Sequence, residues 1–204
     1  MVALCATHHA KAGAWSVAQV REMKLTAAHR RTTVQGRFEW MREDVLAVVG
    51  GNYYYETPNM VVIKDQPLIW FQRDDKRRLL LNVSMLSRST EPRTRLIDND
   101  WFLEGDPVDV ESPPNGSQLR VRYADGDEVS IRFREWASAD ALGQVHAPAL
   151  ILGDELNFPL LTAELWMLIG GTDLGFTPRE TRLGGGFVMS GCVASHCGNG
   201  LGIG

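Results

Sequence analysis

Cys5-Ala6-Thr7-His8-His9 sets a thiol and an imidazole three residues apart, so Cys5 and His8 can both face one zinc ion as half of a four-ligand site. His9 then stands on the opening turn of the next element, free for other work. That next element reads as a helix. Ser16 and Gln19 have capping-box spacing, and Val17, Val20, Met23 and Ala27 recur near helical period. A second cluster, Cys192, His196 and Cys197, suits a single ion less well, because adjacent residues of a strand point to opposite faces. Two readings of it stand. Cys5, His8, Cys192 and Cys197 could close one four-ligand zinc site if the chain ends meet, or the two late cysteines are inert thiols in a reducing cell.

The run LCATHHAKAGAWSVAQVREMK, knuckle then short loop then helix, resembles the closing half of an HNH endonuclease motif. In that family a strand ends in L-C-x-x-H-H or L-C-x-x-C-H and runs into a helix. The likeness covers residues 1–30 and the second half of the signature. It implies that Cys5 and His8 are structural zinc ligands and that His9 is a ligand of the catalytic divalent cation, Mg2+ or another. In such enzymes this cation sits on the scissile phosphate and stabilises charge on the leaving oxygen. The family's other zinc pair, its general-base histidine and its asparagine belong upstream of this stretch, and four residues precede Cys5. The expectation is a partial HNH module without its base, a metal-dependent DNA endonuclease only if completed upstream.

Charge is distributed unevenly around the net value of −4. Residues 1–42 hold seven basic side chains (Lys11, Arg21, Lys24, Arg30, Arg31, Arg37, Arg42) against Glu22 and Glu39. The remainder is acidic. A basic leading segment is what a phosphate-binding surface needs, so Lys11, Arg21, Lys24, Arg30 and Arg31 are the candidate DNA contacts. The acidic remainder is a poor partner for a polyanion. The longest apolar stretch, 158–171, is short and carries Glu164, which argues against a membrane span. Three cysteines and no secretory leader point to a reducing, cytoplasmic setting. In that setting the glycosylation-type triplets at Asn82 and Asn115 carry no weight.

These candidates need elements to hold them, and the pattern changes after the helix fades near Arg31. Gly36 marks the expected boundary between a segment at 1–33 and a domain at 37–204. Short apolar runs then alternate with turn clusters, at 60–63, 68–71 and 79–85. The clearest element is a hairpin over 118–136. Leu119, Val121, Tyr123, Val129, Ile131 and Phe133 form one face, and Arg120, Arg122, Arg132 and Arg134 the other. Residues 137–150 read as a linker or short helix, and 160–169 as a buried strand around Glu164. Tyr53-Tyr54-Tyr55 could stack on bases or split between core and surface, and Asp98, Asp100 and Asp106 shape a turn. The glycine-rich tail suggests tightly turning strands, one or two rungs of a β-solenoid.

The fold class expected is α+β, predominantly β: a knuckle and helix, then an antiparallel β-rich domain built as a sandwich or as stacked solenoid-like turns. Two functions compete. One is an HNH-related protein with a β-rich accessory or target-recognition domain. The other is a non-catalytic β-rich binding module that oligomerises through sheet edges or its apolar tail and retains only a vestige of the motif.

Overall fold

Alternating apolar residues build two sheets packed face to face, with a helical layer on the outside of one of them. The structure, a computed structural model, describes residues 34–113 and 115–204. The HNH-like segment at 1–33, with Cys5, His8, His9, Lys11, Arg21, Lys24, Arg30 and Arg31, lies outside the described residues. Strands run from β1 (Val34–Arg37) through β2 (Val45–Val49), β3 (Asn52–Tyr55), β4 (Asn59–Ile63), β5 (Gln66–Arg73), β6 (Leu79–Leu86), β7 (Pro92–Ile97), β8 (Asp100–Leu103) and β9 (Pro107–Glu111). They continue with β10 (Gln118–Tyr123), β11 (Glu128–Trp136), β12 (Leu160–Leu168), β13 (Gly175–Phe176), β14 (Thr181–Leu183), β15 (Phe187–Met189), β16 (Val193–Ser195) and β17 (Asn199–Ile203). Helix α1 (Ala139–His146) and a 3-10 segment (Ala147–Glu155) lie between β11 and β12. The protein is predominantly β, in the α+β class.

The first sheet has the order β1-β8-β7-β6-β5-β4-β17. The second runs β15-β14-β13-β12-β11-β10-β9, and β12 also receives a branch of β2, β3 and β16. Most neighbours are antiparallel, as expected, but β2 with β12, β3 with β16 and β4 with β17 are parallel, so both sheets are mixed. Between the sheets lies the main core, with Met60, Ile69, Leu81, Leu96, Val121, Ile131, Leu165 and Phe176 among its side chains. The expected hairpin is β10 and β11, in register from Gln118–Arg132 to Arg122–Glu128. Gly36, read from sequence as a boundary, lies inside β1 and is a packing glycine, because a Cβ there would overlap the Trp101 indole.

β2, β3 and β12 are buried on both faces. Val45, Ala47, Val49 and Tyr54 point into the sandwich, while Leu46, Val48, Tyr53 and Tyr55 point outward to a second core with Trp136, Leu142, Ala149, Leu152 and Leu160. The three tyrosines therefore split between two cores rather than between core and water. Helix α1 forms because Ser138 caps it, accepting the Ala141 N–H at 3.3 Å, with Asp140 in the first turn. Pro148 then turns the chain into the tighter 3-10 segment. Among the described residues no helix is long and apolar enough to cross a membrane.

The glycine-rich tail does not stack as consecutive solenoid rungs, since β13 to β15 are antiparallel and its one parallel stack lies on a segment far back in the chain. Residues 192–203 stack in parallel on 52–63 at a constant offset, Val193 beside Tyr53, Asn199 beside Asn59 and Ile203 beside Ile63. Both segments turn at a left-handed residue, Glu56 in one and His196 in the other, and so pass together from one sheet to the other. Asn59 Nδ2 donates to Asn199 Oδ1 at 3.0 Å, a side-chain bond between two asparagines at the same register of the stacked strands.

Candidate functional site: a cleft beside helix α1

Alternation along β12 sends Leu161, Ala163, Leu165 and Met167 into the sandwich and Glu164 to the helical side. A carboxylate buried there must be paired or be neutralised. Register supplies the partner, since β11 sets Arg132 directly opposite Glu164. Arg132 donates from Nε (3.2 Å) and from Nη2 (2.5 Å) to Glu164 Oε2, and its guanidinium lies over Trp166, 5.7 Å from the ring centroid. The last residue of α1, His146, brings its imidazole to the other oxygen, with Nε2 3.4 Å from Glu164 Oε1. Its Nδ1 stands 3.5 Å from the Tyr53 hydroxyl. Edge contacts with Trp136 and Tyr53 fix the ring, and Trp136 is tied in turn by Nε1–H donated to Thr162 Oγ1 at 3.0 Å.

His146 Nε2 and Glu164 Oε1 touch no solvent, and neither has an aligned hydrogen bond among the described residues, although they face each other as an ion pair would. Burial alone would raise the Glu164 carboxyl. Its contacts with His146 and Arg132 outweigh burial and hold it below the usual carboxylate range. The aligned guanidinium carries the larger share of that effect, because the imidazole approach lacks hydrogen-bond geometry. Burial, and then the Glu164 charge, push the Tyr53 phenol up, so it stays protonated.

These groups line a cleft of about 340 Å³ whose wall is completed by Val48, Gly51, Val145, Thr177 and Pro178. A carboxylate anchored by arginine, an imidazole and a phenol stand in line, an arrangement that can hold or pass one proton. Because Nε2 and Oε1 are sealed, the line shapes the cleft floor and presents no nucleophile. The cleft has the scale and the mix of apolar wall and few polar groups of a small-ligand site.

Other residues singled out by sequence fall elsewhere. Cys192 and Cys197 flank β16 as exposed free thiols, 3.9 and 3.3 Å from the carbonyls of Ser190 and Ser195. Among the described residues no group of three or more His, Cys, Asp or Glu side chains could hold a metal ion. Ser195 Oγ and His196 Nε2 both bond Glu155 Oε2, at 2.9 and 3.2 Å, so the serine and histidine share a carboxylate and do not form a nucleophile–base pair. The hairpin arginines meet acids or an aromatic ring. Arg120 pairs with Glu128, Arg122 with Asp109 and Arg132 with Glu164, and Arg134 lies over Trp136. Asp98 and Asn99 form the left-handed turn between β7 and β8, as their spacing suggests. Sequence reasoning noted Glu164 and missed His146; the signal was the single acid inside an apolar strand, which demands a partner from another element.

No family model, curated protein or solved structure matches this chain. Function therefore rests on the residues themselves.

Proposed function

We propose that the chain is an HNH-endonuclease-related protein in which residues 1–33 carry part of a metal-dependent DNA-cleaving motif and the β-rich unit is its accessory recognition module. Cys5-Ala6-Thr7-His8-His9, followed by a stretch with capping-box spacing and helical period, carries the nuclease half of this reading. Cys5 and His8 would share a structural Zn2+, and His9 would bind Mg2+ or another divalent cation. The matching residues would supply a metal ligand, and the family's general base is not among them. For the β-rich unit the supporting observation is the α1 cleft, a pocket with a fixed polar floor. DNA contact falls to the basic segment, since the hairpin arginines are already engaged. The exposed free thiols of Cys192 and Cys197 suit a reducing, cytoplasmic setting.

Duplex DNA binding tests this. The full chain should bind with an affinity that falls steeply with salt, by about 0.9 in log–log slope for each phosphate neutralised. Replacing Arg21, Lys24, Arg30 and Arg31 together by alanine should flatten that slope by roughly 3 to 4. Unchanged affinity and slope would remove the DNA reading.

The second reading, a non-catalytic module that self-associates, has an observation of its own. Strand β15 ends the second sheet and carries Phe187 and Val188, 55% and 50% exposed. Apolar side chains on an open edge favour edge-to-edge pairing. Light scattering should then show a dimer or larger species that Val188→Lys converts to monomer. A monomer at every concentration counts against it.

A further inference from the structure

Pairing with Glu164 uses only part of Arg132. A guanidinium sets its N–H donors in a planar fork, and carboxylates can meet it along more than one edge. Glu164 occupies the side edge, where Nε and Nη2 both donate to Oε2. The end edge, formed by Nη1 and the second N–H of Nη2, has no acceptor among the described residues. With the side edge turned to a buried acid, the 42% exposure of the Arg132 side chain falls on that end. Arg132 lines the cleft beside α1, so the open fork belongs to the cleft.

This fork is held before any ligand arrives. Glu164 fixes it from one edge and the Trp166 ring backs its face, which lowers the ordering cost of a second partner. Glu164 is the one acid of the cleft lining, and Arg132 already neutralises it. Arg179 follows Pro178 at the rim, is exposed, and has no acid partner among the described residues, because its neighbour Glu180 pairs with Arg182. The mouth therefore carries a surplus of positive charge. Around the fork the wall is apolar, with Val48, Val145 and Pro178. A carboxylate offers two coplanar oxygens that match the end of a guanidinium, and an apolar body attached to it would cover that wall.

We propose that the cleft beside α1 binds a small planar monocarboxylate, its two oxygens on the end edge of Arg132 and its apolar body along Val48, Val145 and Pro178. The inference rests on reading the cleft as the recognition site of the β-rich unit, and adds the class of molecule recognised. His146 Nε2 and Glu164 Oε1 stay beneath the floor and keep Arg132 in place without touching the ligand.

The test uses the full chain with benzoate, benzamide, toluene and inorganic phosphate, followed by amide chemical shifts. Benzoate should saturate and shift Val48, Gly51, Val145 and Trp166. Benzamide, with one oxygen and no charge, should bind about tenfold more weakly, and toluene more weakly still. Inorganic phosphate, which has no apolar body, should not displace benzoate at equal concentration. Arg132→Lys keeps a cation beside Glu164 but loses the fork, so it should bring benzoate down to the affinity of benzamide with the fold's amide spectrum retained. Val145→Trp, at an exposed position of α1, should crowd the cleft and weaken benzoate, benzamide and toluene together. Benzamide equal to benzoate, displacement by phosphate, or an unchanged benzoate affinity in Arg132→Lys would overturn the carboxylate and leave the cleft standing as a recognition site. Shifts centred away from the cleft with every probe would overturn the inference and the reading of the cleft on which it rests.

Discussion

Arg132→Met should cost the β-rich unit about 3 kcal/mol near neutral pH, although the arginine itself is 42% exposed. The loss comes from the charge that stays behind. Glu164 is 5% exposed, and without the guanidinium its carboxylate is a buried charge faced by one misaligned imidazole. Removing one member of such a pair usually costs about 3–5 kcal/mol, and the exposure of Arg132 places this case at the lower end. For a domain of this size that is a fall of roughly 6–12 °C in Tm. The double variant Arg132→Met with Glu164→Leu should recover most of the loss, because an apolar pair of similar volume removes the desolvation problem.

The pH dependence separates this account from simple loss of packing. In the native protein the folded Glu164 pKa is depressed, so its stabilisation is present above the unfolded value of about 4.3 and is lost as pH falls through the folded value. In Arg132→Met, burial dominates and the carboxyl protonates at higher pH than in the unfolded chain. The deficit relative to the parent should therefore be full well above the variant's raised carboxyl pKa, shrink as pH falls through it, and vanish only below the depressed native value, where both proteins hold a neutral acid. Urea midpoints across that range measure it. A deficit independent of pH would mean that Arg132 acts through its packing on Trp166.

The parts of this architecture that sequence reveals are those with a local signal. The β10–β11 hairpin alternates strictly over 118–136, and the strand around Glu164 announces itself as an apolar run. Helix α1 is short and mixed in character, so 137–150 allowed both a linker and a helix; its stability comes from burying Leu142 and His146 rather than from propensity. The pairing of β2 with β12 joins residues more than a hundred positions apart in parallel, and no residue type marks such a partner. The same distance hides the cleft. Glu164 is conspicuous, but its partners Arg132, His146 and Tyr53 arrive from three other elements. Tyrosines 53 to 55 looked like a strand with one wet face because the helical layer that covers it could not be seen from their spacing.

Gly200→Val should detach the stacked segment, whereas Gly202→Val, two residues along the same strand, should be nearly neutral. A Cβ at Gly200 would overlap the edge of the Tyr54 ring and come within 2.8 Å of the Met60 carbonyl oxygen. Tyr54 and Met60 are both buried, so neither can give way cheaply. At Gly202 a Cβ meets nothing within 4 Å, and valine suits a strand better than glycine. Because 192–203 hangs on one flank of the domain, the strain should be relieved by local opening before global unfolding. Amide exchange would report it at Tyr53, Asn59 and Lys64, whose N–H groups donate to Cys192, Gly198 and Ile203 at 2.8, 3.4 and 2.8 Å. Those three should lose protection together in Gly200→Val while the β11–β12 amides keep theirs. Equal protection in the two glycine variants would mean that the segment rests on its backbone ladder alone and that the Tyr54 contact does not hold it.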